Sequence, residues 1–216
     1  MTDDDFDARW FARIRTAALA AMHGSDPAHD GAHVLRVAAS ARDIASAEHA
    51  PISVTVTAAL LHELFNHPKN HPESHRSGEV CAEHAAKLLG EIGFPADSIE
   101  PVAYAIRVHG FSRGIVPSTL EARVLQDADR LDAIGAIGIA RCFATCASMA
   151  RPFYEPGDPF CDAREPDDKQ WGLDHFYRKL LRIHEGLHTA TARGIGADRA
   201  AFMRAYLEQL RREIGA

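Results

Sequence analysis

Ile52-Ser53-Val54-Thr55-Val56-Thr57-Ala58-Ala59-Leu60-Leu61-His62-Glu63-Leu64-Phe65 is the segment on which the fold class turns. Its opening, Ile52 to Thr57, is rich in the β-branched residues that favour strands. Its second half argues the other way. Ala58, Ala59, Leu60, Leu61 and Leu64 are helix formers. The segment therefore reads as a buried helix over about 53–65, and the chain around it reads the same way.

Upstream, Val34, Val37, Ala41 and Ile44 mark the inward face of a helix over about 31–48, and Pro51 separates it from the next. Before that, Phe6, Trp10, Ile14, Ala17, Ala18 and Ala21 recur at three-to-four spacing, with Gly24 and Asp26-Pro27 as the stop. Downstream, a polar loop over 66–72 precedes helices over about 74–92 and 98–108. The next helix is expected from Ser118, as N-cap with Glu121 completing a capping box, through Leu131. Gly135 and Gly138 imply a bend or close packing before a further helix to about 149. Pro152, Pro156, Gly157, Pro159 and Pro166 make 151–166 a long loop, of the kind that often serves as a lid. Helices over about 171–184 and 198–214 follow. The expectation is one all-α domain over 1–216, a helical bundle with its core at about 25–150 and a C-terminal helical cap at about 151–216.

The chain has 216 residues, 46% hydrophobic and 25% charged, which suits a globular fold and argues against disorder. Its net charge of −6 gives no basic excess, so a nucleic acid polymer is not an expected partner. The four cysteines form no Cys-x-x-Cys pair, and no apolar run reaches membrane-spanning length. With an acidic start, MTDDDFDARW, this points to a cytoplasmic protein without a membrane partner.

Thirteen histidines are many for this length, and several lie beside acidic residues. His62-Glu63 follows a stretch that must be core. Ionisable groups next to buried positions need partners, and a divalent metal supplies one for imidazole and carboxylate together. Asp127 and Asp129 lie in an otherwise apolar helix, about 200° apart around it, so one of them can face such a centre and the other serves elsewhere.

The combination of His33 in His-x-x-Arg-Val, Leu-Leu-His62-Glu63 and Asp127-Ala128-Asp129-Arg130-Leu131 resembles the HD-domain superfamily of metal-dependent phosphohydrolases. The stretch from Asp127 through Arg141, and Asp174-His175-Phe176-Tyr177-Arg178-Lys179-Leu180-Leu181, resemble its small stand-alone bacterial subgroup, described as nucleotide phosphohydrolases. The resemblance implies that His33, His62 and Asp129 hold a divalent ion (Mn, Co, Ni, Fe, Zn or Mg). Glu63 stands at the fourth ligand position, where the family has aspartate. Glu63 and Asp129 are then the catalytic carboxylates. Lys69, His71, His75, Arg76 and His109 are candidates for binding the substrate, a small phosphate ester that is expected to be a nucleotide. The implied reaction is release of pyrophosphate from nucleoside triphosphates. The alternatives are a phosphomonoesterase acting on 5′-nucleotides, and a non-catalytic nucleotide or metal sensor, which the longer Glu63 keeps open. A homodimer is possible.

Overall fold

The computed structural model describes residues 2–21, 31–67, 71–110 and 114–215, and every regular element among them is helical. The chain divides into two compact units, Met1–Asp129 and Arg130–Ala216. That division falls inside a helix at Asp129, whereas the sequence reading separates core from cap near 150.

In the first unit, α1 (Asp3–Phe6), a π-helical turn (Asp7–Phe11) and α2 (Ala12–Ala21) run in succession. Thr2 caps them by accepting a bond from the Asp5 N–H, and Asp3, Asp4 and Asp5 complement the positive end of the helix dipole. Phe6, Trp10, Ile14 and Ala18 form the buried stripe, at the spacing read from the sequence. The expected stop at Gly24 and Asp26-Pro27 lies outside the described residues. α3 (Gly31–Glu48) buries His33, Val34, Val37, Ala38, Ala41, Ile44 and Ala45.

α4 (Ile52–Leu61) is buried from Ser53 to Leu61, so it is apolar all round rather than amphipathic. It packs on α1, α2, α3 and α6. Inside this helix the β-branched run that resembles a strand is accommodated by burial: Thr55 returns its hydroxyl proton to the Pro51 carbonyl. α4 ends earlier than expected. His62 is its C-cap, and Glu63-Leu64 lie in the following turn.

A 3₁₀ turn (Ser74–Arg76) leads into α5 (Ser77–Glu91), which packs along α6 (Ala96–Val108). Gly78 permits this approach, since a Cβ there would stand 2.8 Å from the Arg107 carbonyl oxygen. α7 (Leu120–Asp132) begins one residue later than an N-cap at Ser118 implies. Thr119, not Ser118, is the cap and accepts from the Ala122 N–H at 3.4 Å. Ser118 instead pairs with the Tyr104 hydroxyl at 2.7 Å.

In the second unit, Gly135 adopts a left-handed φ of 76° and opens α8 (Gly135–Ser148). A Cβ on Gly138 would lie 2.2 Å from the Ala133 carbonyl oxygen, so the two glycines make a tight turn, as their spacing implies. The proline-rich segment is tied down. Arg164 donates two bonds to the fully buried Asp174 carboxylate, and Gly172 and Leu173 donate backbone bonds to Pro152 and Phe153. The expected helix over 171–184 is broken. α9 (Asp174–Arg178) is separated by Lys179 from a 3₁₀ segment (Leu180–Gly186). α10 (Ala190–Ile214) starts eight residues before the expected point, capped by the Thr189 hydroxyl.

Candidate metal centre

The centre is built where three helices of the first unit present side chains inward. His33 lies in the first turn of α3 and is fully buried. His62 closes α4. The last carbonyls of a helix lack backbone donors, and His62 satisfies one of them, its Nδ1–H donating to the Ala59 carbonyl at 2.7 Å. This bond fixes the tautomer. With Nδ1 protonated, the lone pair of the neutral ring is on Nε2. Burial drives the His62 pKa down to about 4, with Glu63 and Asp129 opposing and His109 and His33 reinforcing, so the ring is neutral near pH 7.

His62 Nε2 lies 3.2 Å from His33 Nε2. Asp129 Oδ1, from α7, lies 3.5 Å from His33 Nε2 and 3.9 Å from His62 Nε2. Glu63 Oε1 lies 4.0 Å from His62 Nε2. Two atoms bound to one ion at about 2.1 Å can be no more than about 4.2 Å apart, and nitrogens near tetrahedral or octahedral angles are separated by about 3.0–3.4 Å. All four distances fall inside that limit, and the two nitrogens match the preferred range. His33, His62 and Asp129 therefore fit a divalent cation, with Glu63 at the edge of reach. Asp129 keeps 26% of its side-chain surface open and Glu63 10%, while both histidines are closed off.

The two aspartates separate as the helical geometry requires. Asp129 faces the centre, and Asp127 is fully buried in α7. Asp132 pairs instead with Arg141 at 2.8 Å. His109, the C-cap of α6, stands edge-on to the His62 ring at 5.2 Å between centroids. Its Nδ1–H donates to the Ile106 carbonyl at 2.6 Å, the same three-residue return that His62 makes.

The remaining candidates lie in the segment before α5. His71 stacks on His67 at 4.5 Å and, with Glu73, forms a separate group of possible ligands. His75 donates to the Pro72 carbonyl, and Arg76 pairs with Glu73 at 3.0 Å. Lys69 lies outside the described residues.

Two supporting residues escaped the sequence reading. Cys81 of α5 is fully buried, with its Sγ 3.4 Å from the Leu61 carbonyl oxygen and 3.2 Å from that of His62. Burial pushes its thiol up to about 12, against the pull of the Phe65 and Leu64 N–H groups, so it stays protonated. Gln126, buried in α7, donates to the carbonyls of Val108 and Ile115 and so ties the end of α6 to the following loop. A cysteine in an alanine-rich helix carries no periodic signal. Gln126 was legible only as a polar residue among Val124, Leu125 and Ala128.

The HD-domain profile matches residues 31–134, a span that includes His33, His62, Glu63 and Asp129. The Bacillus subtilis protein YpgQ is 32% identical over 206 residues, covering 94% of this chain and 92% of its own. The chain belongs to the HD-domain family. The crystal structure of YpgQ in complex with ADP superposes with a TM-score of 0.74, covering 94% of this chain and 97% of that one. An HD-superfamily hydrolase from Bacillus thuringiensis is 28% identical with a TM-score of 0.74, covering 95% of this chain and 96% of that one. The fold is thus that of HD-superfamily hydrolases, and it is all-α as the sequence implies. Among the described residues no single helix is long and apolar enough to cross a membrane.

Proposed function

We propose that this HD-domain protein is a metal-dependent phosphohydrolase acting on nucleotides, releasing pyrophosphate from nucleoside triphosphates. The observation that carries the reading is the convergence of His33 Nε2, His62 Nε2 and Asp129 Oδ1, with His62 locked in the tautomer that offers its lone pair. The YpgQ complex with ADP supports a nucleotide as ligand.

His33, His62, Asp129 and Glu63 would hold the ion. When bound, the ion lowers the pKa of a water and neutralises charge developing at phosphorus. The chain supplies positioning and proton handling. Two neutral imidazoles and two carboxylates contribute a local charge of about −2, which a divalent cation balances. The phosphates then need other donors, and Lys69, His71, His75 and Arg76 are the residues assigned to that task. His109, whose ring stands edge-on to that of His62, would accept a proton or a hydrogen bond from a substrate hydroxyl or water. Phosphoryl transfer leaves little covalent work for the protein, so the pre-set geometry of these groups is the main contribution.

The test is a panel of nucleoside triphosphates, diphosphates and monophosphates with Mn²⁺, Co²⁺ or Ni²⁺, scored for pyrophosphate and orthophosphate separately. Pyrophosphate from triphosphates alone supports the proposal. Orthophosphate from monophosphates would replace it with a phosphomonoesterase. Stoichiometric metal and nucleotide binding without turnover would leave a sensor.

A further inference from the structure

His62 and Glu63 are adjacent residues joined by one peptide plane, and that plane lies just beyond the end of α4. A plane in such a position is free to rotate unless something outside the helix holds it, because the terminal carbonyls have no intrahelical donor. Its carbonyl, His62 O, is 3.2 Å from Cys81 Sγ, and the preceding carbonyl, Leu61 O, is 3.4 Å from the same sulfur. Leu61 O also receives the Leu64 N–H at 3.2 Å. The thiol proton is thus shared between two carbonyls flanking the His62 Cα.

The sulfur itself is held by a rigid support. Cys81 is fully buried in α5, one turn from Gly78, where the helix is pressed against the α6 backbone closely enough that a Cβ would stand 2.8 Å from Arg107 O.

We infer that Cys81 is a positioning residue for the metal centre: its thiol fixes the peptide between His62 and Glu63 and so sets the direction in which the Glu63 carboxylate leaves the backbone. This rests on the metal-centre reading above. Glu63 Oε1, 4.0 Å from His62 Nε2, stands at the limit of a shared ion, so a small rotation of that peptide removes it from reach.

The experiment titrates metal-free full-length protein with Mn²⁺ and with Co²⁺ and measures thermal stability alongside. Cys81→Ala is expected to weaken metal binding about tenfold, and Cys81→Ser, which keeps a proton donor, to stay within about threefold of wild type. Cys81→Val fills the position without the donor and should behave as Cys81→Ala does, which covers the case of an alanine variant that does not fold. Leu89→Ala, at another fully buried position of α5, should lower stability and leave the affinity unchanged. Wild-type affinity in Cys81→Ala or Cys81→Val, or a Cys81→Ser variant as weak as they are, overturns the inference and leaves the metal centre standing. A wild type that binds neither ion removes the metal centre, and the inference with it.

Discussion

Shortening Glu63 by one methylene tests how the fourth ligand is fitted. Glu63 Oε1 is 4.0 Å from His62 Nε2, against an upper limit of about 4.2 Å for two atoms on one ion. In Glu63→Asp the carboxylate retreats by about one C–C bond, roughly 1.5 Å. If it withdraws along its own side chain, the separation becomes roughly 5.5 Å, well outside the limit. The helix cannot follow, because α4 is buried from Ser53 to Leu61 and its end is held by the His62–Ala59 and Cys81 bonds. Misplacement of a catalytic group on this scale costs up to about 10²-fold per ångström. Glu63→Asp is therefore expected to lower turnover about 100-fold when both proteins are compared at equal metal occupancy on the nucleoside triphosphate panel. Glu63→Gln keeps the length and one oxygen, and should retain more metal affinity than Glu63→Asp while losing the charge. A Glu63→Asp variant that turns over faster than wild type would refute the reasoning, since it would mean that the surrounding helices are set for the shorter residue. A wild type inactive on every substrate beside an active Glu63→Asp variant would leave a binding protein as the better description.

Asp129→Asn should abolish metal-dependent activity with little change in folding, while Asp127→Asn, at a fully buried position, should chiefly lower stability; circular dichroism and the activity panel together give the ranking, and the reverse order would place the wrong aspartate at the centre. His62 has a folded pKa of about 4 against 6.5 when exposed, so the unfolded chain binds the extra proton between those values. The stability of the metal-free protein should accordingly be full above pH 6.5 and fall by about 3 kcal/mol as pH drops to 4, with a shallower dependence in His62→Gln, measured by urea unfolding; matching profiles for the two proteins would contradict the burial argument. The Thr57 hydroxyl is buried in α4 without a hydrogen-bond partner among the described residues, so Thr57→Val should raise stability by about 1 kcal/mol, or roughly 2–4 °C in Tm, and a lower Tm would show that the hydroxyl is satisfied.

The helices with a regular apolar stripe were readable in advance. α3 has the bounds its pattern suggests, and the Phe6–Trp10–Ile14–Ala18 stripe is the buried face. The residues of the centre were legible as histidine and carboxylate beside core positions, but their convergence came from family resemblance and not from spacing. Where the reading failed, tertiary contacts decided. Ser118 has the right type for an N-cap, yet the Tyr104 hydroxyl claims it and Thr119 takes the role. The last helix is expected only from about 198, yet α10 begins at Ala190. Gly196 lies within it, and a Cβ there would be 2.6 Å from Leu187 Cδ1, so its smallness serves packing. α4 stops at Leu61 with neither glycine nor proline to announce it. Side chains from His62 itself and from Cys81 take up the carbonyls that further helix would have satisfied. A signal of that kind is invisible until α5 is placed beside α4.

The most direct test of the central claim is the affinity of the metal-free protein for Co²⁺, followed by visible absorption, in wild type, His62→Ala and Asp129→Asn, each shown to be folded. His33, His62 and Asp129 acting as one ligand set require one equivalent bound to wild type, with affinity lost by at least about 100-fold in either variant, because a missing ligand leaves the shell poorly filled. Equal binding in all three proteins, or none in wild type, would contradict the account.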